Sequence, residues 1–183
     1  MLKTQLRKDF NTGSFKVGAS LFKQILWYLT RLIFFKSELV PSSALLVFLL
    51  RIFGSKIGKE VRIKPGVHIK YPWKLEIDDY CWIADCYIEN LETVKLGRNC
   101  CISQQAMLMT GSHDYKKTSF DLITAPIILK EGVWIGAGAK VAPGVVCESH
   151  SVLTMSSLAS HDLESHGIYQ GNPAVKIRER HIS

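Results

Sequence analysis

The sequence predicts an all-β solenoid of stacked triangular coils, with a short helical appendage ahead of it. Three observations lead there. Aliphatic residues recur every six positions, at Leu129, Ile135, Val141, Cys147, Leu153 and Ala159, and earlier at Ile57, Ile63 and Ile69, at Ile77 and Ile83, and at Leu96, Ile102 and Leu108. Six is neither the 3.6 period of a helix nor the two-residue alternation of a strand. Small or turn-tolerant residues follow these positions, where a coil must bend sharply. A repeat unit this short cannot bury its own apolar face, so the core has to come from stacking.

Residues 1–53 hold eight Lys or Arg against Asp9 and Glu38, so most of the net charge of +7 sits there. Leu21 to Phe53 is densely apolar, but Lys23, Arg31, Lys36 and Glu38 interrupt it, and its longest clean run is Ala44 to Leu50. That is far short of the roughly 20 apolar residues a membrane span needs, and no signal-peptide pattern precedes it. Pro41-Ser42-Ser43 is a helix start. The pattern predicts helices over 21–35 and 43–53, with too many large apolar residues for free exposure. They either pack on the repeat domain or a neighbouring subunit, or lie on a cytoplasmic leaflet, with cations meeting anionic lipid and Trp27, Tyr28, Phe34 and Phe35 at the interface.

Residues 54–183 form the repeat domain. Three hexapeptides close one triangular coil, and coils stack about 4.8 Å apart as parallel strands. The beat breaks at Ile69–Ile77, at Ile83–Leu96 and at Leu108–Leu129. Such breaks leave a solenoid as loops and often carry function. The longest is an insertion over 109–128 that holds His113. After Ala159 the beat stops, and residues 160–183 close the domain. The five cysteines form no C-x-x-C pair and read as small apolar side chains in a reducing compartment. His68, His150 and His166 read as turn or surface residues. The sequence holds no convincing metal cluster and no phosphate-loop pattern. A basic excess confined to an apolar stretch argues against nucleic acid.

Six segments carry a family resemblance: L-R-I-F-G-S-K-I-G at 50–58, P-W-K-L at 72–75, C-I-S-Q-Q-A at 101–106, T-G-S-H-D-Y at 110–115, W-I-G-A-G-A at 134–139 and G-N-P-A at 171–174. The chain resembles the hexapeptide-repeat acyltransferases, near the galactoside and maltose acetyltransferases and most like those of colanic acid and exopolysaccharide synthesis. The resemblance implies a left-handed parallel β-helix, a homotrimer with its active site between adjacent subunits, acetyl-coenzyme A as acyl donor and no required metal. It implies O-acetylation of a sugar hydroxyl in exopolysaccharide or capsule synthesis, on an acceptor such as a lipid-linked oligosaccharide. The location implied is cytoplasmic, with the basic apolar N-terminus at the inner face of the membrane.

The resemblance also assigns residues. His113 matches the catalytic histidine. A sugar hydroxyl is a poor nucleophile until a base takes its proton, and imidazole is the usual group for that near neutral pH. Asp121 is the expected carboxylate behind it, fixing the tautomer. Asp114, next to the histidine, is expected in a loop or subunit contact. Asp85, ahead of the second break, Tyr115 and Trp134 are the expected acceptor contacts, although Asp85 also suits a solvated turn and Trp134 a coil cap. Gly136, Ala137, Met155, Ser160 and His161 are expected along the donor, with a backbone N–H of the glycine-rich stretch serving the oxyanion. Lys176, Arg178 and Arg180 are expected near the phosphates of coenzyme A or in a solvated tail. Met155 and His161 depart from the family's small residue and lysine, which bears on donor binding. Acetylation of a soluble sugar, an antibiotic or a nucleotide-sugar amine is the alternative enzyme reading. A non-catalytic hexapeptide scaffold is the alternative outside catalysis.

Overall fold

The computed structural model describes residues 3–6, 8–37, 39 and 41–183; Glu38, one of the charges that break the apolar stretch, lies outside them. Ser20 opens the first helix, α1 (Leu21–Thr30), and its hydroxyl accepts the Lys23 N–H at 3.3 Å. The chain continues directly into a wider π-type turn over Arg31–Lys36. Ser42 caps α2 (Ser43–Ile52) in the same manner, accepting from the Leu45 N–H. Such caps satisfy amide groups that a helix leaves orphaned. Trp27 locks the appendage to the first coil, its Nε1–H donating to the Ile69 and Lys70 carbonyls at 3.1 and 3.0 Å. Phe35, Leu46, Leu50 and Phe53 are buried and continuous with the solenoid core.

The solenoid has three parallel faces. The first stacks Lys56–Ile57, Leu75–Ile77, Val94–Leu96, Ile127–Leu129 and Val146–Cys147. The second stacks Arg62–Ile63, Trp82–Ile83, Cys101–Ile102, Trp134–Ile135, Val152–Leu153 and Gly167–Gly171. The third stacks His68–Ile69, Tyr87–Glu89, Met107–Met109, Lys140–Val141 and Leu158–Ala159. Registers are direct, so each inward aliphatic residue sits on its counterpart below, as Ile63, Ile83, Ile102, Ile135 and Leu153 do. Each such fully buried side chain contributes about 1.5–3 kcal/mol. Ala174–Glu179 turns back antiparallel on Gly167–Gly171 and ends the stack.

One expectation about the beat changes. The second break is shorter than thirteen residues, because Ile88 is fully buried and fills the third-face position of its coil. The corner that holds Asp85 is therefore one residue shorter than a regular corner, closed by a Cys86 N–H to Ala84 carbonyl bond of 2.9 Å. The extra residues come after Glu89 instead. All three breaks then fall on one prism edge, between the third and first faces, at Lys70–Lys74, Asn90–Thr93 and Thr110–Pro126. Asp85 belongs to the edge between the second and third faces.

Candidate active site

The longest break is a two-stranded antiparallel hairpin, Gly111–His113 paired with Leu122–Thr124. Its tip is tied by the Asp114 N–H to the Asp121 carbonyl at 2.8 Å and by Asp114's carboxylate, which accepts the Lys116 N–H at 3.1 Å. Asp114 is thus a turn residue within the loop. Tyr115, at the tip, is exposed.

His113 is held by Phe120. Its Nδ1 lies 2.8 Å from the Phe120 carbonyl, and its ring stacks on the Phe120 ring at 4.5 Å and 9°. A carbonyl only accepts, so Nδ1 carries a proton, and in the neutral ring Nε2 is the nitrogen with the lone pair. Phe120 has φ +52°, a left-handed backbone that is uncommon for so bulky a residue. A second ring, Phe10, lies 5.8 Å from the imidazole on the N-terminal segment. The segment straps the hairpin: the Gln5 N–H donates to the Thr118 carbonyl at 2.8 Å, and the Leu122 N–H to the Asn11 carbonyl at 2.9 Å. Leu6, Lys8, Phe10, His113, Ser119 and Phe120 line a recess of about 360 Å³.

This corrects the expected role of Asp121. Its carboxylate accepts the Asn11 N–H at 3.3 Å and pairs with Lys117 at 3.2 Å, so it fastens the N-terminal strap, and the Phe120 carbonyl holds the imidazole. The Ser119 hydroxyl and the Lys117 ammonium hold its pKa below the ordinary aspartate value. Sequence reasoning missed Phe10 and Phe120. An aromatic residue in a loop carries no signal of its own, and a backbone carbonyl carries none at all.

The other expected residues divide between edges. Gly136, Ala137 and Met155 lie at the edge between the second and third faces, in the same stack as Asp85. A Cβ on Gly136 would come 2.7 Å from the Met155 nitrogen, so only glycine lets these coils approach. Gly136 to Ala139 is a tight turn, closed by the Ala139 N–H to the Gly136 carbonyl, with Gly138 at φ +66°. The Gly136 and Gly138 N–H groups bond to neighbouring coils, while the Ala137 N–H makes no bond within the described residues. Ser160 and His161 are exposed on the edge that also roots the His113 hairpin. A single chain therefore separates His113 from Asp85, Ala137 and Met155 by the width of the third face.

Trp134 is half-exposed on the second face, its Nε1–H donating to the Ser103 hydroxyl at 2.9 Å. Below it a cavity of about 430 Å³ is lined by Arg62, Trp82, Ala84, Cys101, Ser103 and Gln104, among others. Trp82 was not singled out by sequence, yet it stands in the same stack as Trp134 with Cys101 between them. The closing segment departs from expectation. Lys176 pairs with Glu164 at 2.8 Å and Glu179 at 2.7 Å, and these carboxylates push its pKa up. Arg180 donates to the Gly132 and His150 carbonyls. Of the three expected phosphate contacts, only Arg178 is exposed with no carboxylate partner among the described residues. No group of His, Cys, Asp and Glu that could hold a metal occurs among the described residues.

No family model matches the chain. The chain is 39% identical over 164 residues to an Escherichia coli K12 protein assigned as the colanic acid biosynthesis acetyltransferase WcaF, covering 89% of this chain and 90% of that one. Its structure superposes with a TM-score of 0.80 on a hexapeptide-repeat acetyltransferase of Vibrio cholerae complexed with acetyl-coenzyme A, at 20% identity, covering 94% and 96% of the two chains. It superposes with a TM-score of 0.75 on a galactoside acetyltransferase in complex with coenzyme A, at 20% identity, covering 86% and 80%. Fold and the near full-length likeness to WcaF agree: the chain belongs to the hexapeptide-repeat acetyltransferases, which are left-handed parallel β-helices.

Proposed function

We propose that the protein transfers acetyl from acetyl-coenzyme A to a sugar hydroxyl during exopolysaccharide or capsule synthesis, and that it does so as a homotrimer. The observation that carries this reading is His113, with Nδ1 fixed on a backbone carbonyl and Nε2 left as a base in a solvent-open recess. The acceptor hydroxyl attacks the thioester carbonyl while Nε2 takes its proton; the C–S bond then breaks, the imidazolium returns the proton to sulfur, and an O-acetyl ester and a thiol result. The Ala137 N–H is the donor proposed for the developing oxyanion.

The division of these residues supports the trimer reading. His113, Ser160 and His161 lie on one edge of the third face, and Asp85, Ala137 and Met155 on the other. A three-fold axis beside that face brings one edge of each copy against the opposite edge of the next, which assembles both halves. The donor then lies in the cleft between copies. Incubation with acetyl-coenzyme A and a panel of saccharides, read by thiol release and by mass spectrometry of the product, tests the reading. His113→Ala is expected to cut turnover about 100-fold or more with assembly intact. Near-normal turnover would remove His113 from the mechanism. Acetyl on an amine rather than a hydroxyl would replace O-transfer with N-transfer.

Peripheral attachment to an anionic membrane is part of the proposal. Leu21, Phe22, Ile25, Leu29 and Ile33 form an exposed apolar stripe on α1 and its π-type continuation, and Phe48 and Ile52 are exposed on α2. No helix among the described residues is long and apolar enough to cross a membrane. An apolar stripe within a region of +6 charge suits the surface of an anionic bilayer. The intact protein is expected to float with vesicles containing phosphatidylglycerol. A Phe22→Ser/Ile25→Ser/Leu29→Ser variant is expected to stay at the bottom of the gradient. Equal behaviour of the two would sink membrane attachment.

A further inference from the structure

Phe120, whose carbonyl holds Nδ1 of His113, keeps a left-handed backbone with no glycine to ease it. Strain of that kind persists only where the surroundings enforce it. The coils do not enforce it here. Residues 115–119 are exposed, and the bonds Asp114 to Asp121, Lys117 to Asp114 and Phe120 to Lys117 close the tip only on itself. Among the described residues, every hydrogen bond that reaches 114–122 from outside the hairpin comes from the N-terminal segment. The Gln5 N–H donates to the Thr118 carbonyl and the Asn11 N–H to the Asp121 carboxylate, and the Asn11 carbonyl accepts from the Leu122 N–H. These bonds fall on both sides of Phe120. Phe10 adds its ring at 5.8 Å from the imidazole, within the range of an aromatic pair.

The segment that grips the hairpin is itself fixed. Asn11 turns the chain, its side-chain oxygen accepting the Gly13 N–H at 2.8 Å. Phe15, Val17 and Ala19 are half-buried and alternate with exposed neighbours, the two-residue period of extended chain lying on a surface. Phe15 stacks on Tyr71 at 6.5 Å and 25°, with the Lys74 ammonium 4.9 Å from its ring. The Val17 carbonyl accepts from the Trp73 indole and the Lys16 carbonyl from Lys74, both at 2.6 Å. Tyr71, Trp73 and Lys74 belong to the first break of the beat, and the hairpin is the third. The segment therefore runs along the one prism edge on which the breaks gather. Among the described residues the hydrophobic core begins only at Trp27, so these anchors fix the segment's position and add nothing to that core.

We propose that the N-terminal segment positions the catalytic imidazole, with Phe10 and Asn11 as the positioning residues that keep His113 on the Phe120 carbonyl. The inference rests on the reading of His113 as the base. When the grip is lost, Phe120 relaxes to negative φ and its carbonyl turns away. The imidazole proton then moves to Nε2, where a free histidine side chain prefers it, and no lone pair faces the arriving hydroxyl. Phe10→Ala removes the ring, and combining it with Asp121→Ala also removes the acceptor of the Asn11 N–H. Phe10→Tyr and Asp121→Asn keep ring and acceptor. Nitrogen NMR of ¹⁵N-histidine-labelled full-length protein in mildly alkaline buffer reads the tautomer, with His113 assigned by its loss in His113→Gln. The native ring is expected as the Nδ1–H form. The double alanine variant is expected to shift toward Nε2–H and to lose about 10- to 100-fold in kcat. Its KM for acetyl-coenzyme A and its unfolding temperature should stay native, and the two conservative variants should keep the native tautomer and most of the turnover. A native tautomer in the double alanine variant would overturn the proposal, whatever happens to turnover. A tautomer shift as large in Phe10→Tyr as in Phe10→Ala would also overturn it, by removing the ring from the grip. A shifted tautomer with native turnover would leave the positioning in place and remove His113 as the base.

Discussion

At the scale of the residue, His113, the proposed base, is held by a backbone carbonyl rather than by a carboxylate. This matters because a carbonyl cannot lose its charge or be removed by substitution. It also decides what a change at Asp121 does. Were Asp121 the partner of the imidazole, replacing it with asparagine would select the wrong tautomer and cost on the order of 10⁴ in turnover, as in triads of that design. Here the carboxylate holds the Asn11 N–H and Lys117. Asp121→Asn keeps an oxygen to accept from Asn11 and loses only the ion pair with the exposed Lys117, a solvent-screened contact. The expected result is a less than tenfold fall in kcat/KM, against about 100-fold or more for His113→Ala, with the acid limb of the pH–rate profile unmoved. A thousandfold loss would return Asp121 to the base. His113 was legible in the sequence because a motif surrounded it. Its partner was not, because the structural choice of a carbonyl leaves no mark in residue identity, and the left-handed φ of Phe120 aims that carbonyl without a glycine to announce it.

At the scale of the element, each coil reaches its next face through a corner, and corners impose conformations on the residues that occupy them. The edge between the first and second faces repeats a left-handed residue, at Glu60, Tyr80, Asn99, Gly132, His150 and His166. This explains His150 and His166 as corner residues, their rings tilted at 43° with centroids 4.9 Å apart. Gly132 is glycine for a further reason. A Cβ there would lie 2.2 Å from the His150 Nδ1, and the residue has φ +69°. Gly132→Ala therefore meets a clash and a strained backbone together, and is expected to destabilise by about 1–3 kcal/mol, read by thermal or urea unfolding. Adding His150→Ala removes the clash and leaves the strain, so the double variant should recover part of the loss. Full recovery would mean that the backbone angle costs nothing, and no recovery that the ring is not the obstacle. The six-residue beat showed the faces because one inward aliphatic residue per face is a strong constraint. It misplaced the second break because Ile88 follows Ile83 by five residues rather than six. A corner can shorten by one residue when an i to i+2 bond closes it, as Cys86 to Ala84 does here, and periodicity has no term for that.

At the scale of the whole molecule, the proposed trimer places the site where two copies meet. Such an arrangement has a sharp consequence for mixtures. His113→Ala damages the edge that bears the hairpin. Ala137→Pro damages the opposite edge by deleting the proposed oxyanion donor, and it should do so with little disturbance of the fold. Gly136-Ala137-Gly138-Ala139 and Ala142-Pro143-Gly144-Val145 are the same kind of turn, each closed by an i to i+3 bond and each with glycine at positive φ in its third position. Proline already occupies the second position of one of them, where its fixed φ suits the turn. Each variant alone should be nearly inactive. Unfolded together in equal amounts and refolded, they assemble mixed trimers. A site is whole when a hairpin edge from the Ala137→Pro chain meets a turn edge from the His113→Ala chain, which random assembly of three-fold rings provides at about a quarter of the sites. Turnover should therefore rise from near zero to about a quarter of the native value per site. If each chain carried a complete site, mixing would restore nothing, because every chain in the mixture bears one of the two lesions. Recovery near a quarter would place His113 and Ala137 on opposite sides of one interface. Recovery of nothing, from trimers shown to be mixed by mass, would put the whole site back within a single chain.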